Sequence, residues 1–241
     1  MAGHRVIDEQ FTTAQSQAWA RYREMSQGAE SVNGRGSWLR NTAAVRGWLP
    51  QVLAEYRITS ILDVPCGDGN WMSHVNLGEV RYLGWDVEAD NVVEARNRFS
   101  RAGLAAKFEC INILTVDQVP TIDLIFCRDF LQHLPNEAIS HVLEKFTASN
   151  SRYLITNNYR APNDVDCPLA GGHQGAVTAT GPLPGYYYRP VNLEAPPFNL
   201  TGRNAALHEP GLPGEQYAEI TQELVLFDLI SGRESGKSGG P

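Results

Sequence analysis

Residues Ser60-Ile61-Leu62-Asp63-Val64-Pro65-Cys66-Gly67-Asp68-Gly69-Asn70-Trp71 constrain the fold of this chain more than any other stretch. Ile61 to Val64 reads as a short buried strand. The chain then turns at Pro65, passes two glycines spaced G-x-G, and runs toward a helix. A glycine-rich turn after a strand lets a ligand approach the backbone, because no Cβ intervenes. Dinucleotide folds share this pattern, but their fingerprint needs a third glycine three residues after the second, where helix and strand pack closely. That position is Met72 here, which counts against a nicotinamide dinucleotide.

Two acids complete the pattern. Asp63 sits in the strand, and the run Val80 to Val87 reads as a second strand carrying Asp86 at its end, 17 residues after Gly69. A carboxylate at the tip of the second parallel strand is placed to grip the two hydroxyls of a ribose, and it repels a 2′-phosphate. Together the two stretches resemble motifs I and II of the class I S-adenosylmethionine-dependent methyltransferases. Pro65 departs from the glycine common in that family, while Gly67 and Gly69 keep their places.

Further strands follow in the order such a fold requires. Val92, Ala95, Phe99 and Ala102 form a helical stripe, and Ala106 to Ile113 reads as the third strand. The family usually ends this strand with an acid and an apolar residue against the adenine; Asn112 and Ile113 stand there, and an amide carbonyl still accepts from the adenine amine. Leu124 to Cys127 is a continuous apolar run fit for a central parallel strand. Arg128 to His133 form the loop at its carboxyl end, where open α/β sheets place ligands. Ile139, Val142, Leu143 and Phe146 mark the next helix, and Arg152 to Tyr159 the fifth strand.

Upstream, residues 8 to 26 have helical character, with Phe11, Trp19, Tyr22 and Met25 as anchors. Val45, Trp48, Leu49, Val52, Leu53 and Tyr56 predict a second helix, capped by Ser37 or Asn41 and kinked at Pro50. The Gly34-Arg35-Gly36-Ser37 loop before it offers backbone N–H groups and a guanidinium to a carboxylate, and reads equally well as a solvated linker.

Residues 162–214 hold nine of the chain's 14 prolines and show no clear period. Structureless stretches of this length tend to be functional. Tyr187, Arg189 and Asn192 in it could build an acceptor pocket, or the stretch could simply wrap the sheet. Asp164, Asp166 and His173 fit no closed metal-ligand set and read as turn chemistry, so no metal is expected. Ile220 to Leu229 reads as an edge strand pairing antiparallel with its neighbour, and 231–241 as a disordered Gly/Ser-rich tail.

The expected fold is therefore α/β: a doubly wound, mostly parallel seven-stranded sheet with an antiparallel edge strand and helices on both faces. Residues 1–57 would form a helical segment covering the cofactor site, and 58–230 the Rossmann-like domain. With a net charge of -7, the chain lacks the basic surface a nucleic-acid groove needs. No apolar run approaches a membrane span and no leader pattern is seen. Cys66, Cys110, Cys127 and Cys167 form no C-x-x-C pair; the first three fall in predicted buried strands or at their ends. Reduced thiols and a cytoplasmic location are expected. A homodimer is compatible with the sequence.

The resemblance covers about Ser60 to Tyr159 and implies S-adenosylmethionine as cofactor. It places Asp63, Pro65, Gly67, Gly69 and Trp71 around the glycine turn, Asp86 and Val87 at the ribose, and Asn112 and Ile113 at the adenine. Arg35 and Ser37 would lie at the methionine carboxylate, and Arg128 is a further cofactor-binding candidate. The Gly-x-Gly-Ser, Arg-Pro-x-Asn-Leu and Pro-Phe-Asn-Leu stretches further resemble a bacterial subgroup acting on small molecules of specialised metabolism, some of them sugars and aminoglycosides. Methyl transfer to a hydroxyl or amine is then the expected activity. A hydroxyl acceptor needs a base. His133 suits that role by intrinsic pKa, although a His at this place often just bonds backbone and packs near the cofactor. Asp129 could bind cofactor, orient His133 or pair with a cationic substrate. Tyr159 and His173 are further substrate candidates. A binding domain without turnover is the alternative.

Overall fold

The computed structural model describes residues 9–163, 177–178, 181–182, 188–211 and 219–231. Two helices precede the sheet. Helix α1 spans Glu9–Met25; Trp19 and Tyr22 are half-buried, whereas Met25 is exposed rather than an anchor. Helix α2, Ala43–Glu55, buries Val45, Leu49, Val52 and Leu53 as the apolar stripe requires, and runs through Pro50. Its N-cap is Thr42, not Ser37 or Asn41. The Thr42 hydroxyl turns back to donate to the Trp38 carbonyl at 3.0 Å, and Asn41 donates to the Arg35 carbonyl at 2.8 Å.

The α/β units then follow: β1 (Ser60–Asp63), β2 (Arg81–Asp86), α3 (Ala89–Arg101), β3 (Ala106–Cys110), β4 (Leu124–Cys127), α4 (Asn136–Ala148) and β5 (Tyr153–Tyr159). After them come the two-residue strands β6 (Val177–Thr178) and β7 (Gly181–Pro182), which pair with each other, then β8 (Arg203–Glu209) and β9 (Gln222–Asp228). The main sheet has seven strands in the order β3-β2-β1-β4-β5-β9-β8. The first five are parallel, and β9 pairs antiparallel with both β5 and β8.

Antiparallel pairing at Gln222–Asp228 agrees with the sequence reading, but this strand is interior. The edge is β8, inside the stretch expected to lack regular structure. Its residues alternate between half-buried and exposed, and two of the seven are alanines, so no strong apolar period marks it.

Side-chain alternation divides the core into two layers. Leu62, Ile125, Leu154 and Val225 face one side, with Ile139, Val142 and Phe146 of α4. Ile61, Phe126, Ile155 and Leu226 face the other, with Leu49 and Val52 of α2 and Ala95 and Phe99 of α3. The sheet is thus covered on both faces, as continuous apolar strands demand. Cys66 and Cys127 are buried, but Cys110, at the end of β3 near the sheet's outer edge, is exposed; all three are free thiols.

The glycine turn prolongs the sheet beyond β1. Val64 N–H donates to the Phe126 carbonyl at 2.9 Å, and Cys66 N–H to the Trp85 carbonyl at 2.8 Å. Gly67 and Gly69 have φ of 56° and 66°, conformations that L side chains rarely adopt. A Cβ on Gly69 would also lie 3.1 Å from Cα and Cβ of Ala95, so this glycine lets α3 pack directly on the turn. Gly69→Ala is expected to destabilise the chain by about 1–2 kcal/mol for the left-handed backbone, with the contact at Ala95 adding to it. A urea midpoint unchanged from the parent would refute this packing.

Candidate active site

The carboxyl ends of β1, β2 and β3 surround a cleft lined by Val64, Pro65, Trp85, Asp86, Val87 and Ile111 to Leu114, with Trp19 of α1 and Phe130 closing it. Its enclosed volume is about 40 Å³, and the space grows to about 440 Å³ only when the open solvent at its mouth is included. Asp86, buried at the tip of β2, accepts from Gly67 N–H at 2.8 Å through one oxygen. The other accepts from Glu88 N–H at 2.9 Å and the Asn91 amide at 3.2 Å. Burial outweighs these bonds and raises its pKa to about 6. Three donors leave one acceptor position of the carboxylate unused. Asn112 spends its side-chain oxygen on Leu114 N–H at 2.9 Å, which shapes the loop after β3 and leaves its amide nitrogen for other partners.

Not every residue expected around the glycine turn reaches this cleft. Asp63 does not line it and accepts from the Tyr82 hydroxyl. Burial pushes its pKa to about 7, against the opposing effect of that bond. Trp71 packs on Phe126, with ring centroids 5.7 Å apart, and the Arg128 guanidinium lies 5.7 Å from its ring centroid.

A polar segment covers the turn from the N-terminal side. Ser31 donates to Asp68 at 3.0 Å, and Asn70 donates to Glu30 at 2.8 Å and to the Ser37 carbonyl at 2.9 Å. Arg98 of α3 pairs with Asp68 at 3.4 Å. Arg35 and Ser37 lie in one short helical turn, Arg35–Ser37, whose backbone is tied down by these contacts.

Beyond β4 the arrangement is densely charged. Arg128 is nearly buried; it donates to Glu209 at 2.9 and 3.1 Å and to the Gly36 carbonyl at 3.0 Å, and pairs with Asp129 at 2.8 Å. The other Asp129 oxygen accepts from Gln132 at 3.1 Å, and the Asp129 N–H donates to the Asn157 side chain at 2.6 Å. Asn157 in turn donates to Glu209 at 3.3 Å. Asp129 has φ of 56°, a backbone strain sustained by this network. His133 is buried in the following turn, its ring 5.2 Å from that of Trp19 and 5.6 Å from that of Tyr188. Tyr159, at the end of β5, is within 3.1 Å of the Tyr188 hydroxyl.

The structure therefore joins Pro65, Asp86, Val87, Asn112 and Ile113 in one cleft, and Arg128, Asp129 and the Gly36 backbone beside it. It separates Arg189 and Asn192 from them. Arg189 is buried against the start of α4, donating to the Leu134 carbonyl at 3.0 Å and to Asn136 at 2.7 Å. Asn192 lines a separate open groove with Asn158, Arg160, Glu194 and Arg203. His173 and Tyr187 lie outside the described residues, as do Asp164, Asp166 and the tail beyond 231. Among the described residues no cluster suited to a metal ion occurs, and no helix is long and apolar enough to cross a membrane.

Sheet order, glycine turn and acid-tipped second strand define a Rossmann-like methyltransferase fold. Residues 61–149 match the family model described as a methyltransferase domain. No curated protein sequence matches the chain. Among solved structures it is similar to N-methyltransferase NodS from Bradyrhizobium japonicum WM9 in complex with S-adenosylhomocysteine. That pair has a TM-score of 0.60 and 14% identity over 89% of this chain and 98% of the other. It is also similar to magnesium protoporphyrin IX methyltransferase from Synechocystis PCC 6803 with bound S-adenosylmethionine (TM-score 0.56, 13% identity, 92% and 98% coverage). A third is the DhpI–S-adenosylhomocysteine complex (0.56, 17%, 93% and 98%). The chain thus has the Rossmann-like fold of these structures, and a stretch of it matches a methyltransferase domain.

Asp63 gives a test of this electrostatic description. It holds its proton to about pH 7 when folded, against an ordinary value of 3.8. Between those values the folded state binds more protons, so stability falls as pH rises. Asp63→Asn, which can still accept from Tyr82, is expected to melt above the parent at pH 8, with the gap narrowing as pH falls below about 7 and closing only near the ordinary value of 3.8. Circular dichroism melts showing a pH-independent gap would refute it.

Proposed function

We propose that the chain transfers a methyl group from S-adenosylmethionine to a hydroxyl or amine of a small molecule, a sugar or aminosugar of a natural product. The observation that carries the cofactor reading is the Asp86 carboxylate. It is held at the wall of the cleft by Gly67 N–H and keeps an acceptor position for a ribose hydroxyl. The residues fit the cofactor in order along the sheet: Asn112 and Ile113 beside the adenine, Asp86 and Val87 at the ribose, and the Gly34–Ser37 loop with Arg128 at the methionine end. When bound, the cofactor supplies a methyl group on a positively charged sulfur, an already good leaving group.

The chain's own work is alignment and exclusion of water. Trp19 and Phe130 close the cleft, consistent with an N-terminal segment that covers the cofactor. Asp129 has an oxygen on Arg128 and the other on Gln132, which suits an orienting group better than a base. His133 is the candidate base for a hydroxyl acceptor, taking its proton on a ring nitrogen. Its place between Trp19, which lines the cleft, and Tyr188 supports that role. The sugar reading rests on the resemblance of the Gly-x-Gly-Ser and Arg-Pro-x-Asn-Leu stretches. The similar structures include an N-methyltransferase and a magnesium protoporphyrin IX methyltransferase, so the fold leaves the acceptor open.

Calorimetry is expected to show S-adenosylhomocysteine binding that Asp86→Ala weakens by about tenfold or more, the 1.4 kcal/mol of a lost charged hydrogen bond. Binding should also weaken between pH 7.5 and 5, as Asp86 takes up its proton through about pH 6. Incubation with S-adenosylmethionine and a panel of aminoglycosides and glycosylated antibiotics should add one methyl mass to a member. Absence of binding by the parent would overturn the reading. Binding without methylation of any acceptor would favour a domain that keeps the pocket without turnover.

A further inference from the structure

Glu209 ends β8 at the open edge of the sheet, with β5 and β9 lying between it and β4. It nevertheless meets Arg128, the residue after β4, in a bond to both Nε and Nη2. Both side chains are removed from solvent, 8% and 9% exposed. Removing two charges from water commonly costs as much as their attraction returns, so a buried pair is weak evidence for stability as its purpose. What the pair fixes is the position of one atom. With Nε and Nη2 held by Glu209, Nη1 is set between the Asp129 carboxylate, 2.8 Å away, and the Gly36 carbonyl, 3.0 Å away. Gly36 is pressed so closely onto this group that a Cβ would lie 2.6 Å from the Asp129 carboxylate. The same loop is tied to the glycine turn through Asn70 and the Ser37 carbonyl. Adenine over β3 and ribose over β2 leave the methionine end to lie toward β1 and β4, beside this loop.

We propose that Glu209 is a positioning residue for the cofactor site. It orients Arg128, and through Arg128 it sets the Gly34–Ser37 loop against the methionine end of the cofactor. The inference rests on the methyltransferase reading above. It adds to that reading a residue 81 positions from its partner and outside the stretch that matches the family model.

The decisive variant replaces the pair by apolar side chains, Arg128→Met with Glu209→Leu. If the pair only stabilised the fold, stability and binding would change together. As a positioning device, the variant should melt close to the parent yet bind S-adenosylhomocysteine about tenfold more weakly, the order seen when a group that orients a ligand contact is lost. Trypsin should also cut faster after Arg35, a readout independent of any ligand. Glu223→Gln is the control. Glu223 pairs with Arg160, just past β5, and with Arg203 of β8, and does not reach the loop, so affinity and cleavage should stay as in the parent. Should the double variant fail to fold, Arg128→Lys carries the same test, because one ammonium cannot serve Glu209 and Gly36 in the same geometry. A parent that binds, with R128M/E209L binding equally well, overturns the positioning role. A parent that does not bind overturns the methyltransferase reading, and unchanged cleavage after Arg35 then also overturns the hold on the loop.

Discussion

One hydrogen bond organises the crest of the sheet: Gly67 N–H to the Asp86 carboxylate. It joins the turn after β1 to the tip of β2 and sets the acid at the wall of the cleft. The bond needs a glycine on one side, because the backbone there is left-handed, and a short acid on the other. Asp86 is buried, so the bond forms in surroundings where a lone carboxylate would be expensive. Glu88 N–H and Asn91 share that cost and fix the start of α3 at the same time. Turn, helix start and cleft wall are therefore aspects of one arrangement.

A second layer of polar contacts seals the turn from above. Asp68 and Asn70, the non-glycine members of the turn, face the N-terminal segment and Arg98 of α3. The glycines let the turn meet α3 and the Asp86 carboxylate, while Asp68 and Asn70 serve the cover. The side chains that replace a nucleotide-fold glycine and its neighbours are thereby accounted for. Met72 is buried in the core, and Gly69 supplies the close approach to α3 that a third glycine would supply elsewhere.

Much of this was legible in the sequence because it is local. The β1 run, the glycine spacing, Asp86 and the apolar stripes of α3 and α4 each announce themselves within a few residues. What escaped was of two kinds. Strand β8 is half-exposed and alanine-containing, so its alternation carries little hydrophobic contrast. Glu209 and Asn157 act through partners on other elements, and no spacing rule links residues 81 or 52 apart. Asp63 shows the same limit from the other side. Its place in the motif suggests a ligand contact, but the tertiary neighbour that claims its carboxylate is Tyr82. Arg189 sits in an attractive motif and is spent on the start of α4.

The last hairpin, β8 with β9, has a bearing on how the chain can be divided. The matched stretch ends at residue 149 and holds the turn, both acids and Arg128. It does not hold the counterion of Arg128, which arrives only when the end of β8 is laid alongside β9. A fragment trimmed to the recognisable motifs would thus bury a cation with only Asp129 to answer it. A fragment that keeps the Arg128–Glu209 pair has to extend through β9, so the outer strands of the sheet answer a charge held near its centre.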